Sequence, residues 1–134
     1  MTLDFVTQLH GFIEQLNLGL PVKVGTLDVE ESISLYALPG GATARKFFDG
    51  VSDKLLNYEF GIKSKDQKIA IQTLDKIAHA LHNAYIPSSN GSYDFRNIAI
   101  ASEPFLVDGD AKGFKYYRLT ITAELTIYEK RNDQ

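Results

Sequence analysis

The sequence predicts an α+β fold: two amphipathic helices packed on one face of a mostly antiparallel sheet of about five strands. Three observations carry that expectation. Two segments repeat apolar residues at the helical period. Two others alternate apolar and polar residues over eight or more positions, as half-buried strands do. The elements follow in the order helix, strand, strand, strand, helix, strand, strand. With 134 residues, 44% of them hydrophobic and 23% charged, the chain is sized for a single globular domain, 1–134.

The first helix is expected over about residues 3–17. Phe5, Val6, Leu9, Phe12, Ile13 and Leu16 share one face. Thr2 is the expected N-cap with Asp4 in the first turn, and Asn17, Gly19 and Pro21 end the helix. Pro21 to Gly25 reads as a short strand, placed at an edge because proline has no N–H to pair. A second strand is expected over 32–38, with Ile33, Leu35 and Ala37 on one side. Pro39-Gly40-Gly41 punctuates it, and residues 39–53 read as a long loop.

Residues 54–63 alternate strictly. Leu56, Tyr58, Phe60 and Ile62 form one face; Asn57, Glu59, Gly61 and Lys63 form the other. Ser64-Lys65-Asp66-Gln67 has capping-box spacing and opens a helix over about 65–85. Ala70, Leu74, Ile77, Ala78, Leu81 and Tyr85 line its apolar face, and Pro87 stops it. A strand over 95–103 is expected to end at Pro104, and Asp108 to Gly113 reads as a hairpin loop. The last strand spans about 114–129. Tyr117, Leu119, Ile121, Ala123, Leu125 and Ile127 point to the core; Arg118, Thr120, Thr122, Glu124 and Thr126 point away. At about 3.3 Å per residue it would reach about 53 Å. Such a strand must either bend at a bulge or project beyond the helices. Residues 130–134 are expected to fray.

Composition excludes several functions. The chain has no cysteine, which removes disulfide scaffolds and thiolate zinc sites. A net charge of −3 does not suit a dedicated nucleic-acid binder. No apolar run nears the roughly 20 residues of a membrane span, and MTLDFVTQLH lacks the basic start of a signal peptide. Asp108-Gly109-Asp110-Ala111-Lys112-Gly113 opens like a calcium loop, but Leu119 stands where that motif needs a glutamate. His79 and His82 are three residues apart, one turn from Asp75, and would need a third ligand from elsewhere. His10 has no evident acidic partner and reads as structural. The glycines at 40 and 41 lack phosphate-loop spacing. No catalytic residue, metal site or cofactor is therefore expected. The expected work is protein contact, at the loop residues Arg45, Lys46, Phe47 and Phe48 and the hairpin residues Asp108, Asp110 and Lys112.

Several stretches together resemble the tail terminator proteins of long-tailed bacteriophages, also called tail completion, head-to-tail joining or minor capsid proteins. They are Leu18 to Gly25 after an amphipathic helix, Ser34 to Gly41 ending in a Gly-Gly loop, Tyr58-Glu59-Phe60-Gly61-Ile62 before a helix, and Ser102 to Gly113 with its Ser-Glu-Pro turn and acidic hairpin. The resemblance covers nearly the whole chain in order. It implies a structural virion protein that forms a ring, commonly a hexamer, on the head-proximal end of the tail tube. That ring would stop tube growth and join the tail to the head connector. Its partners would be further copies of itself, the tube protein and the connector, with DNA only passing through the lumen and no membrane. The implied location is the virion tail, after assembly in the host cytoplasm. Two other readings stay open on the residues alone: a tail tube or head-connector subunit of similar fold, and a small metal-dependent or nucleotide-binding enzyme resting on His79 and His82.

Overall fold

The computed structural model describes residues 3–25, 31–46 and 51–128. Its elements are α1 (Phe5–Glu14), β1 (Val22–Val24), β2 (Ile33–Lys46), β3 (Val51–Ser64), α2 (Gln67–Leu81), β4 (Tyr93–Gly109) and β5 (Lys115–Tyr128). The five strands form one sheet in the order β1-β2-β3-β5-β4. All neighbours are antiparallel except β1 and β2, which are parallel. The fold is therefore α+β with a mostly antiparallel five-stranded sheet.

β5 occupies an interior position and is paired along both sides. Its ladder with β3 runs from Val51↔Tyr128 to Ser64↔Lys115 without a register shift. The six inward residues expected from alternation are all buried. β5 itself carries no bulge. The irregularities fall on its neighbour β4, whose ladder shifts four times between Phe95 and Asp108. An interior strand is held from both sides, so mismatch collects at the edge, where one partner sets the geometry.

Residues 39–46 and 51–53 are strand rather than loop. Pro39, Gly40 and Gly41 stand opposite Leu56 alone, between the pairs Leu38↔Asn57 and Ala42↔Leu55. This bulge takes up the proline and puts Gly40 at φ 94°, where a side chain would be strained. Pairing then resumes to Lys46↔Ser52. Pro-Gly-Gly marks a bulge on an outer strand as readily as it marks a loop. Pro104 is similar: β4 continues through it to Gly109 because a missing N–H costs little on an edge. Phe47 and Phe48, Thr2 and residues 130–134 lie outside the described residues.

Both helices are shorter than expected. α1 is preceded by Asp4, whose side chain makes no capping bond. Its carboxylate instead accepts hydrogen bonds from the Ser88 and Ser92 hydroxyls and from the N–H and hydroxyl of Ser89. α2 is capped by Asp66, not Ser64: the Asp66 side chain accepts from the Ile69 N–H at 3.1 Å. Ser64 accepts the Asp66 N–H just upstream. Tyr85, placed on the apolar face of this helix by its spacing, lies beyond the helix end and is 70% exposed. His10 does have an acidic partner, Glu14 one turn on, at 3.3 Å, and its other nitrogen lies 2.8 Å from the Val22 carbonyl.

One core cluster joins Phe5, Leu9 and Ile13 of α1 and Ala70, Leu74, Ile77 and Leu81 of α2 to Phe60, Ile62 and the inward residues of β5. Phe5 is central to its aromatic part, with ring centroids 5.4 Å from Tyr58 and 5.5 Å from Tyr93. The Tyr93 hydroxyl donates to the Ile86 carbonyl at 2.6 Å, which satisfies its polar end inside the core. Burial pushes the Tyr58 hydroxyl up to about 12.

Leu125→Ala is expected to cost about 3 kcal/mol, the range for a leucine that leaves a cavity. Thr126→Ala, which removes hydrogen bonds to Asp53 and Arg96 on the opposite face, should cost about 1 kcal/mol. Urea denaturation of both variants checks the register of β5; equal losses would contradict it. A second expectation concerns pH. Desolvation raises the Asp4 pKa, but the four hydrogen bonds from Ser88, Ser89 and Ser92 outweigh it and bring the group from 3.8 down to about 2. A carboxylate depressed in the folded state stabilises above its unfolded value, and that stabilisation is lost as pH falls through the folded one. Asp4→Asn should therefore be less stable than the parent near neutral pH, by about 1–2 kcal/mol. The difference should close between pH 4 and pH 2, read from urea midpoints across that range.

Candidate interaction surfaces

The outward side chains of β2, β3, β4 and β5 make a network across the sheet. Glu59 on β3 is its hub. It accepts from the Tyr36 hydroxyl on β2, lies 3.9 Å from the Arg118 guanidinium on β5, and accepts from the Thr120 hydroxyl at 3.4 Å. Beside it, Thr122 donates to Asn57 at 2.9 Å. Thr126 donates to Asp53 at 2.6 Å and accepts from Arg96 of β4 at 2.8 Å. Tyr128 donates to Asp94. Each row pairs one strand with the next, the cross-strand arrangement that the β3–β5 register sets up.

Gly61 belongs to this face for a steric reason. A Cβ there would stand 2.7 Å from the Arg118 guanidinium, so glycine leaves room for Arg118 to lie flat across β3 toward Glu59. At the end of the sheet Lys63 sits 3.4 Å from Asp110 and over the rings of Phe114 and Tyr116, while Lys65 covers Phe114 from 4.8 Å. Such cation–ring contacts keep long basic side chains in defined positions.

The five expected contact residues that the structure describes do not come together. The backbone of Arg45 and Lys46 lies at the end of β2, paired with Asp53 and Ser52. Asp108, Asp110 and Lys112 lie around the β4–β5 turn, next to the Ser64 end of β3. The 14 residues of β3 separate the two groups by roughly 43 Å. Asp110 shapes its turn: its carboxylate accepts the N–H groups of Lys112 and Phe114 at 2.9 and 3.1 Å. Desolvation opposes ionisation of Asp110, but those bonds and Lys63 outweigh it and lower its pKa. Asp108 and Lys112 are exposed. The polar network on the outward face was legible in the alternation of β3 and β5, although the partner of each residue was not.

His79 on α2 and His82 just after its end are both exposed and share a shallow surface hollow with Asp75 and Glu103. Among the described residues no group of three or more His, Asp or Glu side chains is placed to hold a metal ion. No helix among them is long and apolar enough to cross a membrane.

Residues 12–127 match the family described as bacteriophage tail terminator protein. The chain belongs to the bacteriophage tail terminator family. No curated protein matches it. The family match runs from within α1 to the last turns of β5, so it takes in the sheet, α2 and both outer strands. The terminator is thus a structural protein of the phage tail, its place is the virion, and its partners are other virion proteins.

Replacing the hub of that face tests its contribution. Glu59→Ala should lower stability by about 1–3 kcal/mol, the range for hydrogen bonds to a charged group, and Glu59→Gln by less. Guanidinium denaturation of the two variants beside the parent gives the comparison.

Proposed function

We propose that this terminator forms a ring, as a hexamer, on the head-proximal end of the tail tube, where it stops elongation and offers the docking surface for the head connector. The family match over residues 12–127 carries this reading. The chain acts as one domain, with both helices on a single sheet face, leaving the outward face and the outer strands for neighbours. A closed ring needs two different contact surfaces on each subunit. The sheet has two unlike outer sides, β1 with the later part of β2 at one and β4 at the other. Arg45 and Lys46 lie at the opposite end of the strands from Asp108, Asp110 and Lys112, which suits one group facing the tube and the other the connector. DNA passes through the lumen, and a net charge of −3 disfavours its retention there. Assembly takes place in the host cytoplasm, and no catalytic step is involved.

Deleting the gene from its phage should leave full heads detached from tails, with tails longer than those of the parent, in negative-stain electron microscopy. Joined virions of normal tail length would overturn the reading.

A further inference from the structure

Six large hydrophobic side chains are exposed among the described residues, and four of them lie on outer strands: Val24 on β1, and Phe105, Leu106 and Val107 on β4. The sheet register relates them. One row runs Val22↔Ile33↔Ile62↔Tyr117↔Leu106 from one outer strand to the other. The next row on the same face runs from Val24 through Leu35 and Phe60 to Leu119. Val24 and Leu106 therefore stand on the same face of the sheet, one row apart, while Phe105, opposite Arg118, faces the other way and Val107 lies in the bulge before Asp108.

Strand direction agrees with this match. Between β2 and β4 the chain reverses three times, so β4 runs antiparallel to β2 and to its parallel partner β1. A copy rotated about an axis along the strands, without translation, would set its β1–β2 side beside β4 of its neighbour in antiparallel orientation. Antiparallel pairs are the more stable kind, and their side chains meet directly across the junction. Among the described residues no strand pairs with the outer side of β4 or of β1, and an uncovered edge strand as long as β4, with 17 residues, invites pairing with another chain.

We infer that the subunit-to-subunit contact of the ring is made by the Phe105–Val107 stretch of β4 against the β1–β2 side of the next copy, with Leu106 on the face of Val24. The inference rests on the ring reading above and assigns its two complementary surfaces. The contact is heterologous: each subunit gives β4 to one neighbour and β1 to the other, so that successive additions close a ring. The apolar residues set the height of the junction, since a slip by one residue would move Leu106 to the wrong face.

The absence of cysteine makes the test direct. Val24→Cys and Leu106→Cys are prepared singly and together in the full chain, their folding is checked by circular dichroism, and the assembled protein is treated with a short bis-maleimide. Assembly is taken in solution, or on isolated tails if the free protein is monomeric. The double variant should give a ladder of dimer, trimer and larger species. A mixture of the two single variants should give dimer alone, and each single variant no product. Val107→Cys replaces Leu106→Cys if the latter does not fold. In parallel, Leu106→Glu should weaken self-association about tenfold or more, the loss expected at a central contact, while Tyr85→Glu should change it by about twofold or less. Dimer from Leu106→Cys alone would mean that two β4 strands meet across a two-fold axis, and would overturn the inference. So would a ring without the mixed product. Either result leaves the tail-end role standing. The mixed product together with tails of normal length in the deletion phage would do the reverse.

Discussion

The fold depends on β5 being held on both sides with one face dry. Fourteen residues pair with β3 without a shift while β4 pairs along the other side. Every second side chain from Tyr117 to Ile127 is buried. Because the strand repeat is two, a slip by one residue would exchange that apolar set for Arg118, Glu124 and the threonines. The register of β5 is therefore strongly specified, and β3 inherits it residue for residue. The core cluster from both helices and the polar rows on the outward face follow from the same alignment. Glu59 meets Thr120, Asn57 meets Thr122 and Asp53 meets Thr126 because the ladder makes them opposite neighbours.

Irregularity collects where that constraint is weakest. β2 and β4 carry the bulges, the prolines and all the register shifts of the sheet; β4 is an edge strand, and β1 covers β2 only at Ile33–Leu35. A proline or a three-residue bulge is tolerated there because only one ladder is disturbed. Among the described residues β4 also carries three of the six exposed large hydrophobic side chains, and the short outer strand β1 a fourth. On the ring reading proposed above, the division has a use: a regular interior keeps the shape, and the outer strands are left to meet neighbours.

The core was legible from one-dimensional pattern. The alternation of β3 and β5 and the 3.6 period of α1 and α2 name most residues that prove buried, since burial on one face imposes that period directly. Resemblance in a few spaced stretches also pointed to the family that the match over residues 12–127 shows. Punctuation was misread where a signal has two physical meanings. Pro39-Gly40-Gly41 suits both a loop and a bulge, and Pro104 suits both a strand end and an edge strand. Tyr85 fits the helical period but falls after the helix has stopped, because spacing does not report where backbone hydrogen bonding ends.

The sequence by itself determined which residues avoid water and how many elements present them, because the spacing of apolar side chains is a local property of the chain. Only the tertiary structure decided which strands are interior and which are outer, that Asp4 ties the start of α1 to Ser88, Ser89 and Ser92, and that Val24 and Leu106 stand on one face, a row apart, at opposite sides of the sheet. Those facts depend on strand order and register, and these are set by pairings between residues far apart in the chain, which no local pattern encodes.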